Sequence, residues 1–276
     1  MANPSISSAS LIAASAASQA TAGMHISMER ISTGMKLNGA ADDPADAAQA
    51  SRLNNEIVGT EQLLKNAMNG RSLVDTAEGA HNEIENILQR MREISVQAAN
   101  DTNDADDRQN LSLEMQELYQ EIDRIASVTK FAGEPVMFDD FTSKKFHVGL
   151  DLDTQSIVEV TLKSMRPQSL FGASTDISID GTASAIANIA AIDDAIQLVN
   201  AQRSVLGSIS NRLASTVNNL TNVSLNLTET LGVIQDADYA IETTRLAMFQ
   251  ILQQSATAML AQENASRSNV LSLFPR

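Results

Sequence analysis

Three histidines are the side chains in this sequence with the most obvious capacity for catalysis or metal binding. His25, His81 and His147 lie in three separate segments of the chain. Their spacing therefore favours neither a metal-binding triad nor a Ser/His/Asp arrangement. The sequence contains no cysteine, which excludes disulfides, thiol catalysis and cysteine-ligated metals. We therefore expect no enzyme activity, no bound metal and no cofactor.

Neighbouring carboxylates are the second group of side chains that could do chemistry. Three pairs stand where helices are expected to begin or end, and these are Asp42/Asp43, Asp106/Asp107 and Asp236/Asp238. A carboxylate at the start of a helix accepts hydrogen bonds from unpaired backbone N–H groups and interacts favourably with the helix dipole. Capping therefore explains these pairs better than general acid–base catalysis does.

Residues 100–104 read Asn-Asp-Thr-Asn-Asp and are predicted to form a turn that reverses the chain. A calcium loop is the functional alternative, because Asp101 and Asn103 occupy alternate positions. Position 105 is Ala, however, and position 106 is Asp where such a loop needs Gly. The turn is the favoured interpretation.

The elements that must position these residues are long helices, of which the longest is predicted over residues 43–100. Asp43 suits the N-cap, Pro44 suits the first helical position, and Asp46 adds a carboxylate to the first turn. At about 1.5 Å per residue such a helix would be about 85 Å long, which indicates a rod. Apolar residues recur along it every three or four positions: Leu53, Ile57, Leu64, Met68, Val74, Ile84, Leu88 and Met91.

Two further helices are predicted to pack on the first, over residues 106–130 and 182–231. The helix over residues 182–231 has one gap in its apolar spacing, near Arg203, and is expected to break at Gly232. The predicted fold class is mainly α, a long antiparallel helical rod or coiled-coil-like bundle. The seam of this rod includes Leu53, Ile57, Leu64, Leu88, Met91, Leu118, Ile122, Ile209, Leu213, Leu220 and Leu227.

A small β section is predicted in the middle of the chain, over residues 131–182. Five of the seven phenylalanines fall there. A β-hairpin is predicted from two alternating apolar runs joined by residues 151–155, namely Phe146, Val148 and Leu150, then Val158, Val160 and Leu162. Ile177 and Ile179 suggest a third short strand after this hairpin.

The two ends of the chain carry almost no charge. Residues 1–28 and 246–262 contain no Asp, Glu, Lys or Arg. Such segments bury too little apolar surface alone, so we expect them to become ordered against other copies of the chain. The alternative is that they are flexible tails. The apolar residues expected to drive this assembly are Leu11, Ile12, Met248, Leu252 and Met259.

Composition excludes several classes of partner. The net charge of -15 argues against nucleic acids and anionic membranes, which bind clustered Lys and Arg. The sequence contains no run of 18 apolar residues, so no membrane span is predicted. The N-terminus also lacks the basic and apolar regions of an ordinary signal peptide.

Several motifs together resemble the bacterial flagellin family. The resemblance covers residues 1–145 and 183–276. It is most specific at residues 29–45, which read Glu-Arg-Ile-Ser-Thr-Gly-Met-Lys-Leu-Asn-Gly-Ala-Ala-Asp-Asp-Pro-Ala. Further motifs are similar at residues 76–80, 88–100, 121–126 and 131–133, and at Leu206-Gly207, Asn211-Arg212-Leu213, Asp236-Ala237-Asp238 and Ile251-Leu252-Gln253-Gln254.

The resemblance implies a structural subunit that polymerises into the helical flagellar filament used for swimming motility. It implies secretion through the flagellar type III export channel and an extracellular location. The domains would be tail helices of the inner filament core at residues 1–42 and 235–276, rod segments at 43–130 and 183–234, and the β section at 131–182. The alternatives are a hook–filament junction protein of the same superfamily and a soluble coiled-coil scaffold.

The resemblance also implies partners. These are other copies of the chain, a flagellar export chaperone at the C-terminal tail, and the hook-associated junction and cap proteins. In many flagellins a vertebrate innate immune receptor reads one surface of the first long helix and its neighbour. Arg90, Ile94 and Glu114 match the positions that carry this recognition.

Overall fold

The computed structural model describes residues 8–137, 143–149, 153–172 and 177–272. Within these ranges the chain is mainly α-helical with a small antiparallel β section, which confirms the predicted fold class. The helices are α1 (Ser8–Thr33), α2 (Pro44–Ala98), α3 (Ala105–Val128), α4 (Pro167–Phe171), α5 (Thr182–Gln235) and α6 (Tyr239–Ser272). The strands are β1 (Lys130–Phe131), β2 (Glu134–Pro135), β3 (Lys144–His147) and β4 (Ile157–Val160).

The chain divides into two compact units. Met1–Ile57 and Leu225–Arg276 form the first, which we name the terminal unit, and Val58–Ser224 forms the second, the central unit. Helices α2 and α5 contribute residues to both units. Residues 1–7 and 273–276 of the predicted tail segments lie outside the described residues.

Capping side chains fix the ends of α2 and α3. Asp43 Oδ1 accepts hydrogen bonds from the backbone N–H groups of Ala45 (3.0 Å) and Asp46 (3.2 Å) at the start of α2. At the start of α3, Asp104 and Asp107 form a reciprocal capping box. These bonds pair N–H groups that have no partner within a helix, so the helices begin there.

The core of the central unit is built from α2, α3, α5 and the β section. Its fully buried side chains include Leu88 and Met91 of α2, Ile122 of α3, and Leu206 and Leu213 of α5. Burying a side chain of this size stabilises a fold by about 1.5–3 kcal/mol. The repeated apolar positions of the three helices therefore supply most of the core.

One part of the predicted α2 seam is wrong. Met68 is 49% exposed and Leu64 is half-buried, whereas Leu63 and Ala67 are buried in their place. Adjacent helical residues point about 100° apart, so only one of the neighbours Leu63 and Leu64 can face the core fully. Leu63 and Leu64 are alike in type, and at the next turn the prediction chose the larger Met68 over Ala67.

The β-hairpin forms close to its predicted position. Strands β3 and β4 pair antiparallel, with Phe146 opposite Val158 and Lys144 opposite Val160. Val148 follows β3, and Leu150 lies outside the described residues, as do residues 151–152. β1 and β2 form a second, two-residue antiparallel ladder that was not predicted.

The predicted third strand does not form at Ile177 and Ile179, although both side chains are buried. Side chains of neighbouring helices bind their backbone groups instead. Asn188 Nδ2 of α5 donates to the carbonyl of Ile177 (3.2 Å), and the N–H of Ile179 donates to Ser112 Oγ of α3 (3.2 Å). A strand ladder would require a neighbouring backbone in place of these groups.

The predicted helix break at Gly232 is also wrong, because α5 continues to Gln235. A single glycine inside a helix costs only about 1 kcal/mol, which a long helix tolerates. The N–H of Asp236 still donates to the carbonyl of Gly232 at 2.8 Å. The helix ends where Asp236 pairs with Met35 in an isolated antiparallel bridge.

Candidate assembly interface

Helices α1 and α6 pack against each other within the terminal unit, and we name them the terminal pair. The N-terminal part of α6 lies beside the C-terminal part of α1, since the Tyr239 hydroxyl donates to the carbonyl of Ile31 at 3.0 Å. Further along, Gln253 Nε2 donates to Thr21 Oγ1 at 3.2 Å. The two helices are therefore antiparallel.

The fully buried apolar side chains of the terminal pair are alanines, and many of its large apolar side chains are exposed. Ala13, Ala20 and Ala256 are buried, at 6%, 2% and 5% exposure. Leu11 and Met259 are 56% and 64% exposed. The remaining residues predicted for assembly, Ile12, Met248 and Leu252, are also exposed. This distribution is the reverse of an ordinary helix pair, where the large apolar side chains are buried.

A buried carboxylate lies in the terminal pair. Glu242 Oε1 accepts hydrogen bonds from Arg30 Nη1 (3.2 Å) and Arg245 Nη1 (2.8 Å), and its side chain is 5% exposed. Burial alone would raise the pKa of Glu242, but hydrogen bonds from Ser27 and Arg30 and the charge of Arg245 outweigh it, so this pKa is lowered. The sequence analysis missed this site. The available signal was an acid three residues before Arg245 at the edge of the uncharged stretch 246–262.

The connector between α1 and α2, residues 34–43, is held to the junction between α5 and α6, residues 235–237. Gly34 has a φ of +73°, a conformation that glycine adopts without steric cost. Its carbonyl accepts the N–H of Ala237 at 2.9 Å, and the N–H of Lys36 donates to the carbonyl of Gln235 at 2.7 Å. This connector therefore joins both ends of the chain.

Asp42 organises the inside of this connector. Its Oδ2 accepts the N–H groups of Asn38 (3.0 Å) and Gly39 (3.1 Å), and these two hydrogen bonds lower the pKa of Asp42. An open groove of about 440 Å³ lies beside the connector. Its lining is small and uncharged, and it includes Leu37, Gly39, Ala50, Ser51, Asn54 and Gln235.

The predicted rod seam residues are distributed over both units. Leu88, Met91, Ile122 and Leu213 are fully buried in the central unit, and Leu220 is nearly so. Ile57 is buried in the terminal unit. The half-buried members are Leu53, Leu64, Leu118, Ile209 and Leu227.

The gap that the sequence shows near Arg203 is an interhelical ion-pair site. Arg203 of α5 bonds Glu78 of α2 at 2.9 Å. It also pairs with Glu85, two helical turns further along α2. These hydrogen bonds and charges raise the pKa of Arg203. A charged residue thus replaces an apolar one where α5 faces two acids of α2.

The surface predicted for receptor recognition is formed by charged residues. Arg90 Nη2 bonds Glu114 Oε1 at 2.7 Å, and Arg90 Nη1 bonds Glu93 Oε2 at 3.1 Å. These carboxylates raise the pKa of the Arg90 guanidinium. Ile94 is 0% exposed and belongs to the core. In the single chain it therefore does not lie on this surface, contrary to the expectation. The α-helical spacing turns Ile94 inward beside Met91.

The histidines and paired carboxylates do not form a reactive site. His25 and His147 are exposed, while His81 is buried in the core of the central unit. Asp238 Oδ1 caps α6 by accepting the N–H groups of Ala240 and Ile241. The described part of the chain contains no group of three or more His, Asp or Glu that could hold a metal ion, and none of its helices is long and apolar enough to span a membrane.

Comparison with known protein families gives two matches that together cover most of the chain. Residues 5–142 match the bacterial flagellin N-terminal helical region, and residues 189–274 match the bacterial flagellin C-terminal helical region. The chain is 36% identical over 247 residues to a flagellin of Halalkalibacterium halodurans, covering 90% of each chain. It is 35% identical over 260 residues to the flagellar filament 33 kDa core protein of Treponema phagedenis, covering 90% of this chain and 91% of that protein.

Two solved structures are also similar. The crystal structure of Bacillus cereus flagellin matches with a TM-score of 0.50 and 33% identity, over 56% of this chain and 88% of that one. A putative flagellar hook-associated protein from Vibrio parahaemolyticus matches with a TM-score of 0.59, over 70% of this chain and 99% of that one. The second match has only 15% identity, so it shows a shared fold alone.

Proposed function

Because this chain belongs to the bacterial flagellin family, it is a structural, non-enzymatic subunit of the flagellar filament, and we propose that it polymerises through the outer surface of the terminal pair. The observation that carries the proposal is the reversed packing of this pair. Ala20 is buried at 2% exposure, whereas Ile12 is 67% exposed. A surface of this kind is typical of an interface that another chain covers.

The energetics favour ordering by neighbouring subunits. Fixing the backbone of one residue costs about 1–2 kcal/mol. Apolar burial returns about 25 cal/mol per Å², and the alanines between α1 and α6 supply little area. Covering Leu11, Leu252 and Met259 in a neighbour's contacts would add large apolar side chains to the buried surface. Assembly would therefore supply the stabilisation that the isolated pair lacks.

The domain organisation proposed from the family follows the same division. Residues 1–42 and 235–276 would form the inner filament core, and residues 43–130 and 183–234 the rod. Residues 131–182 would form the β section. The terminal unit supports the first assignment because it joins the two ends of the chain in one compact body.

The remaining partners are proposed from family membership. They are a flagellar export chaperone at the C-terminal tail, the hook-associated junction and cap proteins, and export through the flagellar type III channel to the extracellular filament. For α6, the exposed Ile251 and Met259 support a chaperone that covers apolar surface before assembly. An innate immune receptor is proposed at Arg90 and Glu114, whose ion pair is on the surface.

Seeded polymerisation tests the proposed function. Purified full-length chain is added to short filament fragments at high salt, and the products are examined by electron microscopy and sedimentation. Long helical filaments are expected, whose mass grows with added monomer. A hook–filament junction protein would stop at short layers, and a soluble scaffold would remain a small discrete oligomer. Either result would contradict the proposal.

A further inference from the structure

The alanines buried between α1 and α6 do little by themselves to fix how far α1 is shifted along α6. Its buried contacts include Ala13, Ala20 and Ala256, which are small and alike in shape. Uniform packing of this kind specifies position poorly, because a sliding helix meets an almost equivalent surface one turn later. One turn of an α-helix is about 5.4 Å. A specific contact is therefore needed to define one arrangement.

One contact in the terminal pair is unlike the others. The ring of Phe249 on α6 lies directly on Gly23 of α1, so a Cβ atom added at Gly23 would stand 2.4 Å from Phe249 Cζ. Real Cβ atoms do not approach other atoms this closely. The glycine thus forms a notch in α1 that the aromatic ring occupies.

Three polar contacts agree with the same arrangement. Thr21 accepts from Gln253 at 3.2 Å on one side of the notch. On the other side, Arg30 bonds Glu242 at 3.2 Å, and the Tyr239 hydroxyl donates to the carbonyl of α1 residue Ile31 at 3.0 Å. The Gln253–Thr21 and Tyr239–Ile31 contacts are partly exposed and could exchange partners for water after a shift, whereas the buried Glu242 would lose its Arg30 partner. The ring contact would not be repeated one turn away, because Gly23 is the only glycine of α1.

We propose that Gly23 and Phe249 set the register of the terminal pair and that this register is required for polymerisation. The proposal rests on the proposed function above. A helical polymer repeats one subunit contact throughout, so each subunit must present the same surface. A terminal pair shifted by one turn would move Leu11 and Met259 relative to each other. Gly23 and Phe249 are therefore positioning residues, and the exposed apolar side chains make the intersubunit contacts.

Substitution of Gly23 by alanine separates this role from helix propensity. Alanine is the better helix former, so propensity alone predicts that Gly23→Ala strengthens α1 and assists assembly. The notch predicts the opposite result, because the new methyl group forces Phe249 outward or the helices apart. The two explanations therefore differ in sign.

The first experiment measures the concentration of monomer that remains after seeded polymerisation. Gly23→Ala is expected to raise it about tenfold, which is the size of effect that overpacking typically has on an equilibrium constant. Gly79→Ala and Gly207→Ala are matched controls, because a Cβ at either helical position meets nothing within 4 Å. Both should stay within about twofold of the wild type. A Gly23→Ala chain that polymerises like the controls would overturn the proposal.

A second experiment tests register directly. The chain contains no cysteine, so Thr21→Cys and Gln253→Cys can be joined by a short bis-maleimide without competing thiols. The chain with Gly23 should cross-link readily and still polymerise, and Gly23→Ala should cross-link less because its helices are shifted or forced apart. Equal cross-linking of the two chains, or failure to cross-link with Gly23 present, would reject the register role.

The controls also separate this inference from the proposed function. A wild-type chain that forms no filaments contradicts the proposed function itself. A wild-type chain that polymerises together with an equally active Gly23→Ala chain contradicts only the register role. The melting temperature of the central unit, followed by circular dichroism, should be the same in Gly23→Ala and wild type, because both residues lie in the terminal unit.

Discussion

At the scale of single residues, His81 shows how a buried titratable group affects the central unit. Its Nδ1 lies 2.7 Å from the carbonyl of Ala77, so Nδ1 carries the proton and donates. Burial lowers the pKa of His81, and the charge of Arg203 lowers it further. The Ala77 hydrogen bond and the nearby Glu78 carboxylate oppose this shift without cancelling it. The folded chain therefore holds His81 neutral at a pH where the unfolded chain binds a proton.

The sign of the pH dependence follows from this pKa. Below about pH 6.5 the unfolded chain gains a proton at His81 that the folded chain does not, so the free energy of unfolding falls as the pH is lowered. We expect His81→Leu to remove a dependence of at most about 1.4 kcal/mol per pH unit between pH 6.5 and 5. Urea unfolding of wild type and variant over this range measures it.

His147 provides the control for that experiment, because it is exposed on β3. His147→Ala should keep the pH dependence of the wild type. If His81→Leu unfolds with the same pH dependence as the wild type, the buried imidazole does not contribute, and the acid sensitivity of the central unit has another source.

Arg90 carries a prediction about recognition. Arg90→Ala removes the guanidinium that bonds Glu93 and Glu114, and we expect it to abolish most activation of the innate immune receptor by monomer. Fold stability should change little, because exposed ion pairs contribute little. Reporter cells measure activation, and circular dichroism checks the fold.

Arg71→Ala is the matched control for Arg90→Ala. Arg71 lies on the same helix in an exposed ion pair with Asp75. This control should activate the receptor as well as the wild type does. A wild-type monomer that is silent in the assay, or equal losses from both substitutions, would count against a receptor surface at Arg90.

At the scale of elements, Leu213 tests the packing of α5 in the central unit. It is fully buried, with Ile209 and Val217 one turn to either side. Leu213→Asp would place a carboxylate in this core and is expected to cost several kcal/mol. The melting temperature and the helix content at a fixed denaturant concentration should both fall, as measured by circular dichroism.

Val205→Asp is the control on the same helix, because Val205 is 47% exposed. It places the same residue, Asp, in the same helix without burying its charge. Its melting temperature should stay close to that of the wild type. An unchanged melting temperature for Leu213→Asp would mean that α5 does not pack through this face.

These elements also show what could be predicted from sequence. Helices α2 and α5 were predictable because capping at Asp43 and repeated apolar spacing are local signals. The third strand was mispredicted because Ile177 bonds a distant side chain, Asn188, instead of another strand. Gly232 was misjudged because one glycine is a weak signal within a long helix.

The candidate interface was predictable only in part. The exposed Leu11 and Met259 followed from the absence of charge in both chain ends. The contact of Arg30 with Glu242 joins residues 212 apart in sequence, and no local pattern relates them. The notch at Gly23 has the same cause, since a glycine reveals a close approach only when its partner helix is known.

At the scale of the whole molecule, charge is distributed unevenly between chain ends and middle. The chain has a net charge of -15, yet residues 1–28 and 246–262 contain no Asp, Glu, Lys or Arg. Repulsion between acidic subunits would oppose close packing. Uncharged ends avoid this repulsion where neighbouring subunits are proposed to meet, while the acidic remainder favours solubility before assembly.

This distribution leads to a prediction about the isolated subunit. The central unit buries large side chains such as Leu88 and Leu213, whereas the terminal pair buries alanines. Ordering each residue costs about 1–2 kcal/mol, so a pair with so little apolar burial should open frequently in a monomer. We therefore expect brief subtilisin treatment of full-length monomer to remove both ends and leave a resistant core of about residues 43–235. Mass spectrometry identifies its boundaries.

The trimmed core and the filament provide the decisive comparison. The core should keep the melting temperature of the central unit but should not polymerise when seeded, because it lacks Leu11 and Met259. In assembled filaments the same ends should resist subtilisin, since neighbouring subunits would cover the terminal pair. Termini that resist protease in the monomer as well as the core does would show that the pair is stable alone. A trimmed core that still builds filaments would show that the contacts between subunits lie elsewhere in the chain.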